Sequence, residues 1–414
     1  MTMARIGAFL LVSGLLVVGC GSPEAAEPPP DEQRVSMVTE LAPGAAQAVA
    51  ESVNRFGFDL LGELADGTEN AITSPVSAAA LLAMVLAGTD GDTAAELADV
   101  LHLTDARDAR AGALLAALAD TDDVTLSAAN GLWTDDQIPI EPDYLAFVRD
   151  QFAATPATAD LAAPETAAAI DDWVNEQTEG RIPTIAEDLG LPSEDLAAVL
   201  LNTVYFLAEW STQFDPAQTV DRPFTLPGGE PVPVPMMHLR EQSLAVTNRD
   251  GYRMLRLPYG ETGRYGMEIL LPDAPDGLPR LLDQLDEAEW EAATAALGEQ
   301  TMTELALPRF ELRWQATLND RLQALGAQRV FDPAAADFTP MSPADLYLDR
   351  VVQKTYLRVD EAGTEAAAVT GGSVGVTALQ PELVFVVDRP FAFTISDTET
   401  GAILFLGAVT DPRG

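Results

Sequence analysis

Few residues in this 414-residue chain could do covalent chemistry, because it carries only two histidines, His102 and His238, and one cysteine, Cys20. A Ser-His-Asp hydrolase needs a histidine held between a nucleophile and a carboxylate. His102 ends the helix-like run ADVLHL and His238 follows Met236 and Met237, so each reads as a structural or surface residue. A nitrogen- and sulfur-based metal centre needs several such ligands together, which two isolated histidines and one cysteine do not supply. Phosphate-loop and dinucleotide fingerprints are also missing from the sequence. No catalytic residue, metal or cofactor is expected, and the chain does not read as an enzyme.

Cys20 has a different context. Arg5 supplies a positive start, Ile6 to Val18 an apolar core too short for a comfortable membrane span, and Val17-Val18-Gly19-Cys20 resembles a bacterial lipobox. Residues 1–19 are therefore expected to be a signal peptide, with lipid on Cys20 and 20–44 as a Pro-, Glu- and Ala-rich disordered tether. The protein should be exported and face outward from the cell envelope. Residues 45–414 are expected to form one domain. The formal charge of −42, from 65 acidic and 23 basic residues, makes nucleic acid and anionic lipid poor partners. Contact with a membrane is expected only through the lipid, and a monomer is the default. Lys354 is the only lysine.

One stretch of the domain has an unusual pattern. In residues 359–379, VDEAGTEAAAVTGGSVGVTAL, the alternate positions Thr364, Ala366, Ala368, Thr370, Gly372, Val374 and Val376 are all small or apolar, while Glu365, Val369 and Ser373 occupy the other parity. Ala- and Glu-rich composition favours helix, and the glycines would stop one. Period-2 alternation suits a strand with one buried face. The segment is compatible with a loop in one state and a strand in another.

Other elements must position it. Ala45 to Ala65 has amphipathic helical spacing. Ser74-Pro75 looks like a helix start, and the apolar run Ser77 to Ala87 must lie in the middle of the domain. Asp92 to Leu101, Asp105 to Ala119 and Tyr144 to Phe152 read as further helices. Val124 to Trp133 and the stretch from Leu200 read as strands, the latter apolar on both faces and hence central. Leu346 to Val359 reads as a buried strand before the alternating segment, with LVFVVD and FAFTISDTETGAILFLGAV as strands after it.

Several of these runs resemble the serpins, inhibitors of serine proteases. The segment EAGTEAAAVT (Glu361 to Thr370) resembles the hinge of the serpin reactive-centre loop. NAITSPVS, IDDWVNEQTEGRI and LLNTVYFLAEWSTQFDPAQT follow family patterns, in family order, as does the closing GAILFLGAVTDP. The resemblance covers about residues 45 to 412. It implies an α+β fold with three sheets, about eight or nine helices and a mobile loop over about 361–382. It also implies suicide inhibition, in which a protease cleaves the loop and the loop inserts into the main sheet, a mechanism that belongs to the family.

By the same resemblance the hinge is Glu361, Gly363, Thr364, Glu365, Ala366, Ala367, Ala368, Val369 and Thr370. Family spacing places the reactive bond at Thr377-Ala378, within one or two residues. The small residues there suit elastase-like or subtilisin-like serine proteases, with extension to a cysteine protease. Ser74, Ser77, Asn202, Trp210 and Gln353 would control sheet opening, with Gln353 where the family usually has histidine. Asp171 replaces a usual Asn, and Ala362 a usual Glu. The Asp105 to Ala119 region lacks a basic face, so no sulphated polysaccharide cofactor is expected. The alternative is a non-inhibitory serpin acting as a surface binding or structural lipoprotein. A lipoprotein hydrolase is more distant and would need a histidine that cannot be placed.

Overall fold

The apolar helix starting at Ser74-Pro75 is the centre of the molecule. In the computed structural model, which describes residues 44–103, 110–119, 124–364 and 383–414 (backbone only at 127, 128 and 202–205), it runs from Pro75–Ala87. Ser74 caps it, its hydroxyl accepting the Ser77 amide at 3.4 Å, and Pro75 at the first position has no amide to leave unpaired. We call this helix α2. Every residue of it except Leu81 is buried. It packs against a strand of one sheet, β4 (Ala198–Glu209), and a strand of another, β15 (Ile403–Val409). α1 (Ala45–Leu64) covers it from outside, burying Val49, Val53, Phe56 and Leu60 at helical spacing.

The remaining helices follow the sequence reading with shifted ends. α3 (Gly91–Val100) starts earlier than Asp92 because Asp90 caps it, accepting the Gly91 amide at 2.7 Å. α4 is Arg110–Ala119, and the first residues predicted for it lie outside the described ones. α5 (Pro142–Phe152) and α6 (Pro164–Gln177) follow, then α7 (Leu278–Gln284), α8 (Glu287–Ala295) and α9 (Asn319–Leu325), giving nine among the described residues. Val174 of α6 is fully buried, as expected, but Trp173 is only partly so, its ring lying along Gly131. Asp171 accepts the Ile185 and Ala186 amides at 2.6 and 2.8 Å. Those contacts need only an acceptor, so Asp serves where Asn is usual.

Three sheets are present. One has six strands in the order β10 (Phe310–Thr317), β11 (Val352–Val359), β12 (Gly363–Thr364), β4, β2 (Thr125–Asp135) and β3 (Thr155–Ala159). The other nine strands are joined by ladders, eight along one path with β5 branching from it, and divide into two sheets along the 19-residue β6 (Pro231–Arg249). The first residues of β6 pair with β5 (Val220–Thr225), Met236 to Val246 pair with β9 (Gly298–Pro308), and β9 pairs with β13 (Val384–Val386). The last part of β6 pairs with β7 (Tyr252–Pro258), leading to β8 (Tyr265–Pro272), β14 (Phe391–Asp397), β15 and β1 (Ala71–Thr73). Phe206, Tyr259, Tyr265 and Phe405 meet in the core between the six-stranded sheet and this second layer.

One expectation is corrected. The run Leu346 to Val359 is not one long strand, since β11 begins only at Val352. Residues ahead of it are bound by the Asn319 side chain and by the backbone of Leu318 and Val330 instead of a neighbouring strand. Asn319 donates to the Asp349 carbonyl at 2.7 Å and accepts the Val351 amide at 2.9 Å, which satisfies that backbone without a ladder.

Candidate functional site: a strand seated at the mouth of a sheet

β12 is two residues long and lies between β11 and β4. Thr364 pairs with Val359 on one side and with Ala208 on the other, and Gly363 pairs with Glu209. Both neighbours run antiparallel to it. Among the described residues β11 and β4 share no ladder of their own, so β12 is the bonded link between them. Further along, a cavity of about 120 Å³ opens between the start of β4 and the approach to β11, lined in part by Leu81, Val85, Leu189, Val199, Phe338 and Val351.

The turn into β12 is tightly held. Asp360 donates its amide to the Gly363 carbonyl at 2.9 Å, and its carboxylate accepts the Ala362 amide at 3.0 Å and pairs with Arg358. Trp210 donates its backbone amide to the Ala362 carbonyl and its indole N–H to the Asp360 carbonyl, each at 2.9 Å. Its ring stacks on Tyr259 with centroids 4.4 Å apart. The Tyr259 hydroxyl lies 2.6 Å from the Thr364 hydroxyl, and both groups are buried. Burial drives the Tyr259 phenol well above its usual range, so it stays neutral and able to donate.

Gly363 is required by close approach. A β-carbon there would come within 2.0 Å of the Ala208 carbonyl oxygen and 2.7 Å of the Glu209 Cα. Ala362 is 3 % exposed, which explains a small apolar residue where Glu is usual. Glu361 is also mostly buried but has partners. It accepts the Thr219 hydroxyl at 2.7 Å and lies 3.6 Å from the Arg309 guanidinium, while its own carbonyl accepts the Phe214 amide.

A second cluster sits where β11 meets the N-terminus of α2. Gln353 accepts the Thr73 hydroxyl at 2.7 Å and donates to the Ser74 carbonyl at 3.3 Å. Gln353, Thr73, Ser74 and Ser77 are all buried. Glutamine thus uses both halves of its amide. Asn202 is opposite Asn130 in the β2–β4 register, and its side chain is outside the described set.

The structure therefore brings Glu361, Gly363, Thr364 and Trp210 to one point and Ser74, Ser77 and Gln353 to another. Glu365, Ala366, Ala367, Ala368, Val369, Thr370, Thr377, Ala378 and Cys20 lie outside the described residues. Sequence reasoning missed Thr73, Tyr259, Thr219 and Arg309, although Thr73 adjoins Ser74 and Tyr259 closes the LPY motif. It also missed a clasp over the sheet. Lys354 of β11 pairs with Asp188 at 2.5 Å and donates to the Thr184 carbonyl, while Gln315 of β10 donates to the other Asp188 oxygen. These bonds fasten the α6–β4 connection onto β10 and β11. Burial opposes ionisation of Asp188, but Lys354 and Gln315 outweigh it and hold the carboxyl below its usual range.

The main sheet of this α+β fold thus holds Gly363 and Thr364, the first residues of the alternating segment, between two strands. The family model described as "Serpin (serine protease inhibitor)" matches residues 51–412, and the chain belongs to this family. An uncharacterized serpin-like protein of Thermococcus kodakarensis is 34% identical over 384 residues, which is 90% of this chain and 88% of that protein. Leukocyte elastase inhibitor A of Mus musculus is 34% identical over 357 residues, 83% of this chain and 94% of its own. Among solved structures, the thermophilic serpin tengpin in its native state has a TM-score of 0.79 at 25% identity, covering 88% of this chain and 94% of tengpin.

Proposed function

We propose that this protein is a suicide-substrate inhibitor of serine proteases, cleaved near Thr377-Ala378 and trapping the acyl-enzyme as its loop inserts between β11 and β4. The observation that carries the reading is β12, which already occupies the first two positions of that insertion with Thr364 facing the core. Thr364 to Thr377 as a strand would extend about 45 Å. About ten new ladder bonds at ~1 kcal/mol each release on the order of 10 kcal/mol, comparable to the stability of a whole domain. Beyond Thr364, small residues at alternate positions would let the sheet part around each inward side chain, with Ala366 and Ala368 following.

The small residues at the proposed reactive bond, and relatives named for leukocyte elastase, support an elastase-like or subtilisin-like target, extending to cysteine proteases. The sequence before residue 44 supports export and a lipid anchor on Cys20. The test mixes the mature protein with each protease class and follows denaturing gels and mass spectrometry. A band at the summed mass that survives boiling, with release of a C-terminal peptide starting at or near Ala378, is expected. Loop cleavage leaving active protease with every enzyme tried would instead support the non-inhibitory reading. Thr364→Arg should convert the inhibitor into a substrate, read as loss of that band with faster loop cleavage.

A further inference from the structure

One face of the sheet formed by β5, β6 and β9, lined elsewhere by the buried Phe224 and Val234, also carries charged groups that loop insertion does not use. Val220, Arg222, His238, Arg240, Glu304 and Gln218 line an open cavity of about 430 Å³. The register places them together. Arg222 lies opposite Val234 and Arg240 opposite Glu304, so His238 and Arg240 are alternate residues of β6 on the face that Arg222 also occupies. Arg222 reaches across β6 to Glu304 at 2.9 Å.

His238 is more than nine-tenths buried, and its Nδ1 lies 3.2 Å from a Glu304 oxygen. Yet neither ring nitrogen completes a hydrogen bond among the described residues. Arg240 is exposed and has no ion pair among those residues. Buried polar atoms normally find partners, so the imidazole has donor or acceptor capacity that the protein itself leaves unused. Glu304 is already neutralised by Arg222, which leaves Arg240 as an unbalanced positive charge at the cavity. Burial, and then the Arg222 charge, hold the imidazole below its usual pKa against the pull of Glu304. With Nδ1 3.2 Å from a carboxylate oxygen, a neutral ring carries its one proton there, toward Glu304, and Nε2 can donate to an anion only when the ring takes up a second proton. A metal ion would find two ligands at most and two arginines repelling it. A molecule of net charge −42 repels small anions over most of its surface, and Arg222 and Arg240 are the positive groups that this cavity sets against that repulsion.

We propose that this cavity binds one small oxyanion, a carboxylate or a phosphate, held by the Arg240 guanidinium and by the Nε2–H that His238 gains as the ring protonates on binding, with Arg222 beside it. Having only two histidines, the protein reports on the site directly. Imidazole resonances of the intact protein are followed by NMR at pH 7 as inorganic phosphate, or separately acetate, replaces sodium chloride at constant ionic strength. The His238 signals are expected to shift and saturate, with His102 unmoved as an internal control. Saturation by one probe alone identifies the anion class. Arg240→Gln, at an exposed position, should melt normally and weaken binding by about tenfold or more, and Arg240→Lys should fall between. A shift that is absent or non-saturating, that moves both histidines alike, or that persists unchanged in Arg240→Gln overturns the proposal.

Discussion

Glu287 shows how one side chain can set a pH dependence in this molecule. It is 8 % exposed, and one carboxylate oxygen has no hydrogen-bond partner among the described residues. Burial raises its pKa to about 7, with Glu291 and Glu51 adding to the rise and Asn54 and Arg55 opposing it. An unfolded chain releases this proton near 4.5, the folded one near 7. Below about 4.5 both states hold the proton and its contribution is fully present. As pH rises from there through 7 the folded state loses the advantage, so stability from this group falls across that window. Glu287→Gln should melt above the parent at pH 8 and close to it at pH 4. Melting curves at the two pH values check this, and equal shifts at both would reject it.

At the scale of the element, β12 depends on a residue with no side chain. Gly363→Ala forces a methyl group against the β4 backbone, where nothing flexible can yield. β12 should leave the sheet, taking with it the Trp210 and Tyr259 contacts, at a cost of roughly 2–4 kcal/mol. Denaturant unfolding measures that loss, and limited proteolysis should find the loop more readily cleaved. A variant with parental stability and protection would show that β12 does not depend on this close approach. Much at this scale was legible in sequence. Apolar spacing located α1 and α2, and apolar residues on both faces marked β4 as central. Leu346 to Val351 misled because strand-like composition does not reveal that Asn319 and the Leu318 and Val330 backbone, remote in sequence, take its backbone bonds.

The whole molecule carries a charge of −42, which opposes its own compaction. Salt shortens the Debye length from about 10 Å at 0.1 M to about 3 Å at 1 M. The melting temperature should therefore rise by several degrees over that range in sodium chloride, and a flat or falling profile would show that paired charges dominate. The alternation after Gly363, the buried helix and the order of motifs were fixed by local composition and spacing, which is why family and architecture could be read from sequence. Pairings between distant residues needed the tertiary structure. Tyr259 against Thr364, Gln353 against Thr73, Lys354 against Asp188 and the unsatisfied His238 beside Arg240 join residues that no spacing links. Side-chain partners across a fold are chosen by packing, and packing exists only once the chain has closed on itself.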